Sequence, residues 1–118
     1  VNEHEPRRRA SQFDIWWARF PDPVGRRPVL LLGRTSALAY LTRVLVVEVT
    51  TTVRGIPQEV ALGRSEGLPK RCVANLDALR TIPRASLDAR IGRMTVHRQV
   101  EVKRALGHVL QWPEVTGL

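Results

Sequence analysis

Cysteine occurs once, as Cys72, so an internal disulfide framework is excluded and a reducing cytoplasm is the expected compartment. No apolar run approaches the roughly 20 residues that a membrane-spanning helix needs, and no membrane contact is predicted. A phosphate-cradling glycine-rich loop opening a helix, paired cysteines and an HExxH pair are all missing, so neither a metal nor a cofactor is expected. The histidines are His4, His97 and His108. The last two fall on one predicted helix, about three turns apart by helix rise, too far to share one atom. Ordinary exposure of histidine makes both surface residues. Internal repeats and low-complexity blocks are absent as well.

Acidic residues are also scarce. Lys plus Arg number 19 against 11 Asp plus Glu, a formal charge of +8 and a pI near 11.4 over 118 residues. Such an excess favours a nucleic acid or another acidic partner, through phosphate neutralisation and counterion release, although charge alone also fits a membrane surface. A hydrophobic content of 43% is enough for one domain with a single core. Val1 to Ser11 carries Arg7-Arg8-Arg9 with almost nothing apolar and reads as a disordered basic arm, not a signal peptide. The expected boundaries are an arm over 1–12, one domain over 13–112 and a tail over 113–118.

What the chain does contain is a series of short strands. From Phe13 to Phe20 the residues alternate with a period of two and place aromatics on both faces of a first strand. Pro21-Asp22-Pro23-Val24-Gly25 makes a loop, and Pro28 opens a second, buried strand over Val29-Leu30-Leu31-Leu32. Arg34 to Thr42 reads as a loop with at most one helical turn. Val44 to Val49 is a β-branched third strand that runs into Thr50-Thr51-Thr52. Gln58 to Leu62 is a fourth strand, Cys72 to Thr81 a longer one broken by Pro83, and Ser86 to Arg93 a turn with a short last strand. Thr95 caps a closing helix in which Val102, Ala105, Leu106 and Val109 form one apolar stripe. Arg98, Glu101, Arg104 and His108 take its other side, and Pro113 stops it. Strands followed by one amphipathic helix pack as a small bent barrel or sandwich with the helix laid upon it.

Arginine, hydroxyl and carboxylate chemistry at strand ends is what remains. In order along the chain stand Asp14-Ile15-Trp16-Trp17, Arg27-Pro28-Val29-Leu30, Val47-Glu48-Val49-Thr50 and Leu76-Asp77-Ala78-Leu79-Arg80-Thr81, followed by the amphipathic helix. This order resembles the MazF/PemK family of toxin endoribonucleases over about Phe13 to Leu110. The resemblance implies a mainly β fold, an SH3-like antiparallel barrel with a C-terminal helix, of the MazF/PemK/CcdB type. It also implies a two-fold homodimer that cuts single-stranded RNA without a metal, leaves 2′,3′-cyclic phosphate and 5′-hydroxyl ends, and is silenced by a cognate MazE-like antitoxin. The family's catalytic arginine and threonine match Arg27 and Thr50. A guanidinium offers fixed, bidentate donors to a phosphoryl group gaining negative charge, and a neighbouring hydroxyl adds another donor.

Arg26, Thr51, Thr52, Lys70 and Arg71 are expected to hold the RNA backbone. Asp77 and Arg80 form either a surface ion pair or part of an RNA-reading surface. Three features depart from the family pattern. The loop before Arg26 is short and has no acidic residue after Asp22, Cys72 stands for a serine, and Ala78 stands for a glutamine or asparagine. In isolation an Arg-Pro pair is a solvated strand start and a threonine run a β-propensity signal; the ordered pattern favours the catalytic reading. Cys72 is expected to be a small half-buried filler, and Trp16, Trp17 and Trp112 core or interface residues. Two other classes use the same fold: a CcdB-like gyrase-poisoning toxin acting through its terminal helix, and a non-catalytic RNA-binding barrel.

Overall fold

The computed structural model describes residues 10–116. Six strands, β1 (Asp14–Phe20), β2 (Gly25–Leu31), β3 (Arg43–Thr50), β4 (Glu59–Leu62), β5 (Cys72–Pro83) and β6 (Leu87–Arg93), form one antiparallel sheet in the order β4-β5-β3-β2-β1-β6. A single turn, α1 (Thr35–Leu38), lies between β2 and β3, the long helix α2 (Val96–Leu110) follows β6, and a last turn, α3 (Pro113–Thr116), ends the described chain. The mainly β architecture with one C-terminal helix is therefore the one expected. Of the arm expected over residues 1–12, residues 1–9 lie outside the described residues, and the remainder is corrected. Residues 10–12 are packed: Ala10 is buried and Gln12 bonds Thr35 and the Leu32 carbonyl.

Strand alternation divides the core in two. Ile15, Leu30, Val47, Val49 and Leu76 point to the face covered by α2, whose Val102 and Ala105 pack there, as the apolar stripe predicts. Trp16, Ala18, Val29, Leu31 and Val46 point to the opposite face, covered by Leu38 of α1 and by Ala10. Each strand in the middle of the sheet is apolar on both sides for this reason, which is why Val29-Leu30-Leu31 reads as a continuous run.

Curvature comes from β5. Val47 pairs with Leu79 and Val49 with Ala74, so Asn75 to Ala78 stand opposite Glu48 alone. A bulge of this kind bends the strand, whose first half pairs with the end of β3 on one edge and with β4 on the other. The curled sheet has β4 and β6 as its edges, and the 3-10 turn Arg64–Glu66 bridges them. Two glycines permit that contact. Gly67 has φ of +89°, and a Cβ there would stand 2.6 Å from the Ile91 carbonyl oxygen. A Cβ on Gly92 would run into the Glu66 carbonyl oxygen. Gly92→Ala should therefore cost about 3 kcal/mol or more, the upper end of overpacking penalties, because the obstacle is backbone. Urea denaturation is the check; an unchanged midpoint would mean that the turn moves aside freely.

Several local expectations are corrected. Strand β2 begins at Gly25, not at Pro28: its first half pairs with β1 alone, and pairing with β3 starts at Val29, where N–H donors resume. Strand β5 runs through Pro83, which pairs with Arg43 as the terminal residue. The cap, by contrast, is the one expected: the Thr95 hydroxyl accepts the Arg98 N–H at 3.3 Å. The helix ends at Gln111, in the left-handed conformation with φ of 51°, and Pro113 starts α3. Arg98 is only partly exposed and is committed to a buried carboxylate. Its Nε lies 3.0 Å from Oε2 of Glu66, whose side chain is wholly buried, and its Nη1 donates to the Ala61 carbonyl.

Candidate active site

The site is built where two neighbouring strands part. Val29, Leu30 and Leu31 of β2 pair with Glu48, Val47 and Val46 of β3. Continuing that register by two residues sets Arg27 opposite Thr50, beyond the last paired rung. Here β2 stays with β1, Arg27 facing Ala18, while β3 turns to β5, Thr50 facing Val73. Both residues keep the strand parity of Val29 and Val46, so they belong to one face of the sheet, at its rim. The divergence leaves the edge of β2 open beside Arg27. Pro28 suits this stretch because it has no N–H to leave unpaired.

The environment of Arg27 differs from that of the arginines around it. Arg26, on the opposite face of the strand, donates from Nε to Asp88 Oδ2 at 2.9 Å and lies 4.6 Å over the Trp17 ring. Arg80, on the same face as Arg27, donates to Glu48 Oε2 at 2.9 Å, with its guanidinium 5.4 Å from the Phe20 ring centre. Arg27 is exposed and, among the described residues, its side chain makes no hydrogen bond or ion pair. Its donors are thus uncommitted, at the point where the sheet opens. The Thr50 hydroxyl oxygen accepts the Thr52 N–H at 3.1 Å, so its own proton is free to be donated outward.

Thr51, Thr52, Lys70 and Arg71 lie at the same end, whereas Asp77 and Arg80 stand further along β5. Thr51 and Thr52 are exposed in the segment leaving β3. That segment is tied down by Glu59, which accepts the backbone N–H groups of Arg54 and Gly55 at about 3 Å. Lys70 and Arg71 are exposed just ahead of β5, whose second residue, Val73, pairs with Thr50. Asp77 and Arg80 form no ion pair with each other. The β5 bulge turns Asp77 toward β4, where it accepts from Gln58 at 2.8 Å, and leaves Arg80 beyond the bulge with Glu48.

Cys72 is more buried than half, and burial pushes its thiol pKa up, with the Lys70 charge partly opposing. Trp16 is core, Trp17 is half-buried under Arg26, and Trp112 is 55% exposed. His97 and His108 are both exposed, as expected. Sequence reasoning did not single out Glu48, Glu59 and Asp88 as site residues. Glu48 had a usable signal, a charge at the position two before Thr50 in a β-branched strand, and so on the same face.

Comparison with known proteins identifies the family. Residues 11–110 match the family described as PemK-like, MazF-like toxin of type II toxin-antitoxin system. The chain is 38% identical to the probable endoribonuclease MazF5 of Mycobacterium tuberculosis over 79% of its own length and 85% of the relative's. It is 36% identical to the endoribonuclease MazF3 of the same species, over 73% and 85% respectively. Among solved structures, the Mycobacterium tuberculosis toxin MazF-mt6 superposes with a TM-score of 0.77 at 33% identity, covering 83% of this chain and 96% of that one. A mycobacterial endoribonuclease in complex with its cognate antitoxin superposes with a TM-score of 0.76 at 25% identity, covering 88% and 97%. With a six-stranded curled sheet closed by a C-terminal helix and a family match across nearly its whole domain, the chain belongs to the PemK-like, MazF-like toxins of type II toxin-antitoxin systems.

Proposed function

We propose that this protein is an endoribonuclease that cuts single-stranded RNA through attack of a ribose 2′-hydroxyl on the adjacent phosphorus, with Arg27 and Thr50 as its catalytic residues. The observation that carries the reading is the contrast among arginines. Arg26 and Arg80 are each held by a carboxylate and an aromatic ring, whereas Arg27 is exposed, uncommitted and in register with Thr50. As the attacking oxygen bonds to phosphorus, negative charge grows on the non-bridging oxygens. The guanidinium of Arg27 meets that charge with two parallel N–H donors. The Thr50 hydroxyl, oriented by the Thr52 N–H, donates to the same phosphate or to the departing 5′-oxygen.

Cleavage of this kind leaves a 2′,3′-cyclic phosphate and a 5′-hydroxyl and uses no metal. Thr51, Thr52, Lys70 and Arg71, all exposed at the same end, support the neighbouring backbone. The functional unit is a two-fold homodimer, and a MazE-like antitoxin with an acidic binding segment competes with RNA for the basic groove around Arg27. Relatives named as endoribonucleases support RNA cleavage over the gyrase-poisoning reading.

The test is incubation of the purified full chain with mixed-sequence RNA in EDTA, followed by chemical mapping of the ends. Cyclic phosphate at each new 3′ end, with undiminished cutting in EDTA, is the expected result. Intact RNA, 3′-hydroxyl products or abolition by EDTA would each overturn the mechanism.

A further inference from the structure

On the sheet face opposite Arg27 the β1–β2 hairpin carries a second concentration of positive charge. Arg19 and Arg26 are direct cross-strand partners. Like charges placed opposite each other on a hairpin repel, a cost that an exposed pair of neutral residues would avoid. A single carboxylate answers both. Asp88 Oδ2 lies 2.9 Å from Arg26 Nε and 3.4 Å from Arg19 Nη2. Asp88 stands at an irregularity where β6 shifts register against β1 between Trp17 and Ala18, which brings its side chain out to the arginines. One negative charge against two leaves one guanidinium's worth of positive charge unanswered.

The two arginines are also held unequally. Arg26 is fixed from two sides, by Asp88 and by the Trp17 ring beneath it. Arg19 is 72% exposed, with a single, longer contact. A fixed guanidinium beside a loosely held one, sharing a counter-charge that an incoming anion can displace, is suited to a singly charged ligand with two acceptor oxygens.

We infer that Arg19 and Arg26, with Asp88 as their resident counter-ion, form a second phosphodiester subsite on the face of the β1–β2 hairpin opposite Arg27, occupied by the RNA backbone flanking the cleavage point. The inference rests on the RNA-cleaving function proposed above and adds Arg19 and Asp88 to its binding surface. A strand of RNA passing the open edge of β2 meets Arg27 on one face and this pair on the other. Asp88 then has a positioning role with a cost: it orients Arg26 but competes with phosphate. Its removal should tighten RNA binding, the opposite of what a purely structural carboxylate would give.

Binding of a 2′-O-methyl single-stranded RNA 20-mer of mixed sequence, which cannot be cleaved, tests this by fluorescence anisotropy across a salt series. Arg19→Ser should weaken binding and lower the slope of log affinity against log salt by about 0.7, the loss expected for one phosphate contact on a single strand. Asp88→Asn should raise affinity severalfold at low salt. Arg104→Ser, on the exposed side of α2, is the control and should leave the slope unchanged.

Wild-type slopes in Arg19→Ser, or weaker RNA binding in Asp88→Asn with an unaltered melting temperature, would overturn the subsite. So would a loss of affinity for poly-glutamate in Arg19→Ser with RNA binding intact, which would assign the pair to an acidic protein partner. Wild type that cuts RNA while these results fail overturns the subsite alone. Wild type that neither binds nor cuts RNA overturns the proposed function and the subsite with it.

Discussion

Arg27→Ala should slow RNA cleavage by at least about 100-fold to 1,000-fold, the range seen when one pre-organised donor is removed from a site of developing negative charge. The loss is expected in the chemical step and not in folding. Arg27 is exposed and its side chain makes no hydrogen bond or ion pair with a described residue, so its truncation leaves nothing buried and unpaired. Surface changes of this kind alter stability by less than about 0.5 kcal/mol. Arg27→Lys keeps the charge and loses the planar fork, so it should recover part of the rate but not all of it. Thr50→Val removes one donor and keeps the strand shape, and a decrease of roughly 100-fold is expected. Single-turnover cleavage with enzyme in excess, beside a melting curve for each variant, separates these effects. A rate for Arg27→Ala within tenfold of wild type would remove Arg27 from the chemistry.

The second large effect is on stability and lies far from the site. Arg98→Met should destabilise the fold by about 3–5 kcal/mol, because it leaves the Glu66 carboxylate buried without its counter-charge. Glu66 Oε1 has a partner of its own, the Gly63 N–H at 2.7 Å. Oε2 has no well-aligned hydrogen bond, so its compensation is the charge of Arg98, 3.0 Å away. This pair fastens α2 to the turn that bridges β4 and β6. Its loss releases both the helix and the junction between the sheet's two edges. Combining Arg98→Met with Glu66→Gln should recover much of the stability, since the second change removes the stranded charge; a double-mutant cycle measures the coupling. A loss below about 1 kcal/mol in Arg98→Met would show that solvent reaches Glu66.

The two predictions probe different levels of organisation. Arg27 is legible locally: two cations, a proline and a run of branched aliphatics state that a strand begins there and that a charge precedes it. Arg98 is not. Helical periodicity assigns it to the polar side of α2, yet the turn after β4 brings a buried carboxylate to meet it. Nothing in the spacing of Glu66 and Arg98 announces that meeting, because contacts between distant segments depend on how the sheet curls. Similar reasoning covers Asp88 and Arg26, paired across 62 positions by the register of β6 on β1. It also explains Asp77 and Arg80. Close in sequence, they look like partners, but three residues apart on an extended strand they leave opposite faces, and each meets a carboxylate or amide from a different segment.

By itself the sequence determined the strands, the closing helix and its buried stripe, since alternation and helical periodicity record which side chains leave water. It also determined the excess of positive charge and, through the order of its motifs, pointed to Arg27 and Thr50 as the pair proposed here to carry the reaction. Tertiary structure decided which arginine is left without a carboxylate partner. Three arginines of one neighbourhood, Arg26, Arg27 and Arg80, have the same chemistry in the sequence; the strand register and the β5 bulge give two of them carboxylate partners and leave the third open beside Thr50. The physical reason is range. Side-chain period is a local property of the backbone, whereas the partner of a charge is fixed by the pairing of segments tens of residues apart.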